Sequence, residues 1–304
     1  MKAYRAFSFP HLATRLCVAL IGLVTVSAAT TAFAGSKEAN DPSYLALGDS
    51  VVFGYITQNG PAYLNPDNFN GYPVYVGQEL DLGNANAGCP GETTASFITG
   101  SVPDNGCRDF RSRFLLHAAY PGSQLAFATD FLAKHRKTRL VTIGLGANDG
   151  FLVQRSCAGD PNPAVCFQQK LPGLLATIVS NMETILGSLR ATGYRGALMV
   201  VNYYSLDYAD PAQTGLTVLV NQALAASAAA SGAMVGDAFT AFQNVANGLS
   251  VPFKGKTCFT GLLNGNQSDP SQMTCDVHPS LTGQQLLADV VEATFQARQR
   301  KGDD

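Results

Sequence analysis

Charged residues are scarce in this sequence, and neither sign dominates. They make up 14% of the 304 residues, with 20 Lys and Arg against 22 Asp and Glu and a net charge of −2. A disordered chain combines low hydrophobicity with high charge, whereas 46% of these residues are hydrophobic, so the composition excludes disorder. A coiled coil has many charged residues, so the low charge excludes that class as well. The basic excess of a nucleic-acid-binding protein is missing. The composition therefore predicts a globular protein without a nucleic-acid partner.

Patterns that bind metals or cofactors are also lacking. No Cys-x-x-Cys spacing occurs, and the chain has only four histidines. Residues 144–149 (Gly-Leu-Gly-Ala-Asn-Asp) end in aspartate where the dinucleotide-binding fingerprint has its third glycine, and there is no phosphate-binding P-loop. We therefore expect no zinc site, no other metal and no cofactor.

A long apolar run occurs only near the N-terminus. A basic segment precedes residues 16–29, which are apolar but fewer than the ~20 that a membrane-spanning helix needs. Ala32 and Ala34 are the small residues that signal peptidase recognises. We predict that residues 1–34 are a signal peptide and that residues 35–304 form one domain, secreted to the periplasm or the medium. A retained membrane anchor is the alternative.

The cysteines support export. Cys17 lies in the predicted leader, which leaves an even number, and an even number in an exported chain favours disulfides because that compartment is oxidising. Six cysteines allow 15 connectivities. Their grouping along the sequence favours three local pairs, Cys89–Cys107, Cys157–Cys166 and Cys258–Cys275.

Short apolar segments alternate with helical patterns. The strands are predicted at 43–48, 84–88, 140–145, 197–201 and 233–236, and the helices at 72–81, 108–119, 123–136, 171–191, 212–231 and 281–299. Residues 151–167 are predicted to be a surface excursion, and residues 247–280 to carry little regular structure. This alternation predicts an α/β fold, a doubly wound, flavodoxin-like sandwich of about five parallel strands with helices on both faces.

Two predicted strands end in polar segments flanked by glycine, Gly48-Asp49-Ser50 and Gly146-Ala-Asn148-Asp149. Ligands of open α/β sheets bind beyond the carboxyl ends of the strands. A serine at such an end can act as a nucleophile when a base accepts its proton. Helix capping by the first segment and a simple turn in the second are the alternatives.

Four segments in a fixed order resemble the sequence blocks of the SGNH (GDSL) hydrolase family. They are residues 48–54 (Gly-Asp-Ser-Val-Val-Phe-Gly), 89–94 (Cys-Pro-Gly-Glu-Thr-Thr), 146–149 (Gly-Ala-Asn-Asp) and 276–279 (Asp-Val-His-Pro). The resemblance covers most of the chain after residue 34. It implies a carboxylic ester hydrolase that is similar to secreted bacterial lipases and esterases with three disulfides.

The resemblance also implies a role for each matched residue. Ser50 would be the nucleophile and His278 its base. The oxyanion hole would combine the backbone N–H groups of Ser50 and Gly91 with the side-chain amide of Asn148, and Gly88 is the alternative to Gly91.

The last block departs from the family pattern. Family members place an aspartate three residues before the histidine, where this chain has Cys275. Asp276 lies two residues before His278, and we predict that this carboxylate orients the imidazole. A main-chain carbonyl in a Ser–His dyad is the alternative.

These residues predict an exported monomer that cleaves lipid or short-chain acyl esters through an acyl-enzyme. Two other functions remain open. The same family includes carbohydrate acetylesterases, and the chain could instead be a secreted binding protein that keeps the fold without turnover.

Overall fold

The central sheet consists of five short parallel strands. In the computed structural model, which describes residues 43–57, 60–101, 103–266 and 274–302, their order is β2-β1-β3-β4-β5. The strands are β1 (Tyr44–Gly48), β2 (Asn84–Asn86), β3 (Leu140–Gly144), β4 (Ala197–Val201) and β5 (Met234–Gly236). This order is flavodoxin-like and confirms the predicted fold. The predicted signal peptide lies outside the described residues.

Successive side chains of the strands enter two separate cores. Along β1, Leu45 and Leu47 pack on one face, whereas Tyr44 and Ala46 pack on the other. This alternation follows from the two-residue period of a strand, and all four residues are apolar because both faces are covered.

Ten helices of the described chain flank the sheet or connect its strands. They are α1 (Ser50–Phe53), α2 (Tyr72–Glu79), α3 (Thr94–Thr99), α4 (Cys107–Arg113), α5 (Gln124–Lys134), α6 (Ala147–Ser156), α7 (Pro163–Ala191), α8 (Pro211–Ala230), α9 (Ala238–Asn247) and α10 (Leu281–Gly302). Helices α3, α5, α7 and α8 cover one face, and α2, α9 and α10 cover the other. None of the helices in the described ranges has the length and hydropathy needed to cross a bilayer.

The structure corrects the prediction for residues 151–167. They lie mostly at the surface, as predicted, but helices extend into them, because α6 continues to Ser156 and α7 begins at Pro163, eight residues before the predicted start. Pro163 lies in the first turn of α7. Backbone N–H groups in the first turn make no hydrogen bond within the helix, so a proline, which has no N–H, is tolerated there. The Cys157–Cys166 disulfide joins the end of α6 to the start of α7.

The prediction of little regular structure at residues 247–280 is also wrong. Strands β6 (Leu263–Asn266) and β7 (Thr274–Pro279) pair as an antiparallel hairpin outside the central sheet. The Cys258–Cys275 disulfide joins β7 to the preceding 3₁₀ turn. Together with Cys89–Cys107, the three bridges are the pairs predicted from the sequence.

Candidate active site

Ser50 lies at the first position of α1, directly beyond the carboxyl end of β1. Gly48 precedes this turn with a φ of 142°, and a Cβ atom there would stand 2.2 Å from the carbonyl oxygen of Gly144 on the neighbouring strand. Only glycine therefore fits. Asp49 caps α1, since its Oδ1 accepts the Val51 N–H at 2.9 Å. Helix capping by this segment, the alternative considered above, is therefore observed for Asp49, while Ser50 is buried and lines a cavity at the end of the strand.

His278 and Asp276 are brought to Ser50 by strand β7. Residues two positions apart on a strand point to the same face, so the Asp-x-His spacing places both side chains on one side of the hairpin. The imidazole Nε2 lies 3.0 Å from Ser50 Oγ, and its Nδ1 lies 2.7 Å from Asp276 Oδ1. Nδ1 thus contacts the Asp276 carboxylate, and the Thr57 hydroxyl lies farther from it, at 3.5 Å.

The surroundings of Asp276 keep it ionised. Burial acts to raise its pKa, but the hydrogen bond and charge of His278, together with hydrogen bonds from Thr57, outweigh burial and lower the pKa to about 2. The Thr57 N–H donates to Oδ2 at 3.2 Å, while Oδ1 faces the imidazole. Both oxygens of the carboxylate are therefore fixed.

The strand that carries His278 is anchored from the sheet side. The Tyr204 hydroxyl donates to the carbonyl oxygen of Val277 at 2.6 Å, and the Tyr204 ring stacks on Phe242 with 4.3 Å between the ring centroids. The edge of Tyr55 packs on the imidazole at 4.9 Å. These contacts restrict the position of the imidazole.

Asn148 lies in the first turn of α6, beyond the end of β3, and lines a cavity that Ser50 and His278 also line. Its Nδ2 lies 3.4 Å from Asp49 Oδ2, which also accepts the Tyr203 hydroxyl at 2.7 Å. Burial raises the pKa of Asp49 to about 6, although hydrogen bonds from Tyr203 and Val51 oppose this shift. Since β1 and β3 are neighbours at the point where the winding of the sheet reverses, Ser50 and Asn148 occupy the usual ligand site of this fold.

Of the two candidate glycines, Gly91 is the one that faces the cavity. It lines the cavity beside Ser50, and its N–H donates to no acceptor in the described part of the chain. Gly91 has a φ of 87°, which favours glycine. The Gly88 N–H instead donates to Asn86 Oδ1 at 2.9 Å. Gly91 is therefore better placed to donate to a bound oxygen.

A cavity of about 1440 Å³ joins these groups, and its walls are mostly apolar. Tyr55 and Tyr63 form one part of the wall, whereas the neighbouring aromatic residues Phe53, Phe69 and Tyr72 are buried in the cores. The larger part of the wall comes from α6, α7 and α8 through Phe151, Phe167, Leu171, Leu174, Leu216, Leu219 and Val220. The sequence alone does not distinguish these helical residues from core residues, because their apolar pattern is also that of core packing.

Glu92 is buried beside Gly91. Its carboxylate accepts the hydroxyl of Ser96 and, at 3.1 Å, the Nε2 of Gln124. Gln124 in turn binds both the N–H of Gly48, at 2.6 Å, and its carbonyl oxygen, at 3.0 Å. Burial raises the pKa of Glu92 to about 7, although hydrogen bonds from Ser96 and Gln124 oppose this shift.

Cys89, Glu92 and Cys107 are one group of close side chains of metal-ligating types in the described residues. The two sulfurs are joined in a disulfide, so neither can supply a thiolate to a metal. The absence of a metal or cofactor stays a prediction.

Glu92→Gln is expected to stabilise the protein at pH 8. A carboxyl whose pKa is raised on folding binds its proton more readily in the folded state, so its contribution to the unfolding free energy falls as the pH rises from about 4.5 to about 7. Glutamine does not titrate, so the unfolding free energy of the variant does not fall in this way. Its Tm should equal that of the parent near pH 4.5 and exceed it by roughly 6–12 °C at pH 8, which corresponds to about 3 kcal/mol.

Thermal melts between pH 4.5 and pH 8 test this expectation. The control is Glu183→Gln, which removes an exposed carboxylate of α7 and should leave the curve unchanged. A Glu92→Gln curve that runs parallel to the parent curve would contradict the explanation.

The fold and the contacts from Ser50 through His278 to Asp276 are those of an α/β serine hydrolase. The comparisons with known proteins agree. The model of the GDSL-like lipase/acylhydrolase family matches residues 46–286, which include all of the predicted site residues. The chain therefore belongs to the GDSL-like lipase/acylhydrolase family, and it is a carboxylic ester hydrolase.

Three solved structures are among those similar to this chain. Phospholipase A1 from Streptomyces albidoflavus has 18% identity and a TM-score of 0.51, with 83% of this chain and 98% of that chain covered. LAE5, an α/β hydrolase from the Lake Arreo metagenome, has 16% identity and a TM-score of 0.50, with coverage of 83% and 94%. A point mutant of an acetyl-xylooligosaccharide esterase from Geobacillus has 17% identity and a TM-score of 0.49, with coverage of 83% and 93%. No curated protein sequence matches the chain.

Proposed function

We propose that this protein is a secreted serine esterase or lipase that cleaves carboxylic esters of lipids or other acyl compounds through an acyl-enzyme. Ser50 is the nucleophile, His278 the general base and Asp276 the residue that orients the base. The proposal is carried by one observation, the continuous contact from Ser50 Oγ to His278 Nε2 and from His278 Nδ1 to Asp276 Oδ1, at 3.0 and 2.7 Å. Both distances allow hydrogen bonds, so a proton can pass from the hydroxyl to the ring.

In the first half of the reaction, Ser50 Oγ attacks the ester carbonyl carbon while His278 Nε2 takes the hydroxyl proton. The carbonyl oxygen becomes an oxyanion, which accepts hydrogen bonds from the N–H groups of Ser50 and Gly91 and from the amide of Asn148. The tetrahedral intermediate then collapses, and the carbon–oxygen bond to the alcohol breaks. His278 returns its proton to that leaving oxygen, and the acyl group stays on Ser50.

In the second half, water attacks the acyl carbon. His278 takes a proton from the water and returns it to Ser50 Oγ as the acyl–enzyme bond breaks. The Asp276 carboxylate accepts the Nδ1 hydrogen throughout, which holds the ring in the required tautomer and stabilises its protonated form. The low pKa of Asp276, about 2, supports this role because the group remains an acceptor.

The shape of the cavity favours esters with an apolar acyl group. An acetyl group would occupy a small part of 1440 Å³, whereas the walls from α7 and α8 offer apolar surface to a longer chain. Burial contributes about 0.8 kcal/mol for each methylene group. The three disulfides support secretion, because such bonds persist in oxidising compartments.

An acyl-chain series tests the substrate class. We expect kcat/KM on p-nitrophenyl octanoate to exceed that on the acetate by at least about tenfold, because several methylene groups would be buried. Leu216 lines the cavity, and the larger side chain of Leu216→Trp would fill part of it. This variant should lower kcat/KM on the octanoate and leave kcat/KM on the acetate unchanged. Val245→Trp is the matched control, since Val245 is exposed on α9 and does not line the cavity.

Natural polymers and lipids complete this experiment. Phospholipid vesicles and acetylated xylan are offered at equal ester concentration. Preference for the acetate ester together with acetate release from xylan would contradict the acyl-chain proposal and identify a carbohydrate acetylesterase.

A further inference from the structure

Asn105 contacts both of the proposed oxyanion donors that lie outside the Ser50 turn. Its backbone N–H donates to the carbonyl oxygen of Gly91 at 2.8 Å, and its side-chain Nδ2 donates to Asn148 Oδ1 at 2.6 Å. Asn105 lies two residues before Cys107, and Gly91 lies two residues after Cys89, so the Cys89–Cys107 disulfide closes the loop that contains both residues. One residue therefore connects the segment of Gly91 with the first turn of α6.

The hydrogen bonds continue beyond Asn105 in both directions. The Arg155 guanidinium donates to Asn105 Oδ1. Arg155 and Asn148 lie about two turns apart on α6, which places them on the same face of the helix. At the other end, Asn148 Nδ2 lies 3.4 Å from Asp49 Oδ2. The series begins at a cation and ends at a carboxyl group, and each amide accepts through its oxygen and donates through its nitrogen.

This series determines which way the Asn148 amide faces. An asparagine amide has an acceptor oxygen at one end and a donor NH₂ group at the other. If the amide were flipped, its NH₂ group would meet the NH₂ group of Asn105, and its oxygen would face the buried Asp49 carboxyl. The observed orientation avoids both contacts. It places the NH₂ group next to Asp49, in the cavity that Ser50 also lines, and an NH₂ group has a second hydrogen for a bound oxygen.

We propose that Asn105 is a positioning residue of the oxyanion hole, which fixes the donor orientation of Asn148 and the peptide of Gly91, and that Arg155 fixes the orientation of Asn105. The inference rests on the proposed function, because Asn105 acts only through Asn148 and Gly91, the proposed donors of the oxyanion hole. Asn105 lies outside the four sequence blocks that resemble the family. Its place is visible only when the disulfide loop and α6 are seen together.

Asn105→Asp tests the proposal with little change in shape. The variant keeps the backbone bond to Gly91 and gains an ion pair with Arg155, but a carboxylate cannot donate to Asn148 Oδ1. It would instead attract the NH₂ group of Asn148 and turn its oxygen towards the substrate. We expect kcat on a soluble p-nitrophenyl ester to fall about 10- to 100-fold, with KM changed less than about threefold. Asn105→Ala removes the donor without favouring the flip and should lose less.

A double-mutant cycle separates positioning from a general structural role. Asn148→Ala alone should lower kcat about 10²- to 10³-fold. Adding Asn105→Asp to that variant should cause little further loss, because its side chain acts through Asn148. A structural role gives the opposite pattern, with alanine worse than aspartate and with losses that multiply. Asn244→Asp, an exposed change on α9, is the control for added charge.

Each outcome decides a separate point. A kcat within twofold of the parent in Asn105→Asp, or multiplying losses in the double variant, would overturn the positioning role. A parent-like Asn148→Ala would instead refute the proposed oxyanion hole. If Asn105→Asp melts below the parent, Arg155→Met is measured instead. A loss of about three- to tenfold in kcat that disappears in the Asn148→Ala background supports the proposal. A parent-like kcat in Arg155→Met overturns it.

Discussion

Replacing Ser50 by alanine is expected to lower kcat by about 10⁵- to 10⁶-fold on a soluble p-nitrophenyl ester. The reason is that the acyl group then has no oxygen to bind, and the remaining donors can only stabilise attack by water. His278→Ala should lose a comparable factor, since the two residues act as one unit. The Ser50 side chain contacts His278 as its hydrogen-bond partner, so the fold should survive its removal.

An organophosphonate provides an independent measurement. It should label the parent at Ser50 and fail to label Ser50→Ala, while Ser188→Ala, a change on α7 away from the cavity, should react like the parent. A Ser50→Ala protein that melts like the parent and keeps its rate would refute the assignment of the nucleophile. A parent that shows neither labelling nor turnover would indicate a binding protein with this fold.

Asp276→Asn is expected to lower kcat by about 10³- to 10⁴-fold. Oδ2 accepts the Thr57 N–H and Oδ1 faces His278 Nδ1, so the carboxylate uses both oxygens as acceptors. An asparagine has one acceptor oxygen and must leave one of these partners facing an NH₂ group. The imidazole then loses its tautomeric preference or its orientation. Measurement of kcat over pH 5–9 tests this, because a loss at every pH is expected where Asp276 is ionised in the parent.

Asp289→Asn is the matched control for this change, because Asp289 is exposed on α10. A fall of less than tenfold in a folded Asp276→Asn protein would show that another group orients the ring. That result would favour the Ser–His dyad that the sequence left open.

The sequence was most informative where function is tied to short, ordered motifs. Ser50 and Asn148 follow strands that could be recognised by their continuous apolar character, and the structure places them together at one edge of the sheet. The cysteine pairs were predictable because each closes a short loop. The catalytic roles themselves remain predictions.

The sequence was least informative where a residue depends on a partner far away in the chain. The hairpin of β6 and β7 has few apolar residues, and its strands form because they pair with each other. Without that hairpin, the Asp-x-His spacing could not be recognised as one face of a strand. Helix α7 was predicted to begin at residue 171, although Pro163 in its first turn is compatible with a helix. Asn105 gave no signal, since its role depends on a loop and a helix that meet only in the folded chain.

The cavity is divided between two kinds of structure. Ser50 and Asn148 follow strands of the central sheet, whereas the apolar surface comes mainly from α7 and α8. Exchanges on these helices reshape the space for a substrate and leave the reacting groups in place. During evolution, substitutions on α7 and α8 can therefore change the substrate of such a protein without changing the residues that carry out the reaction.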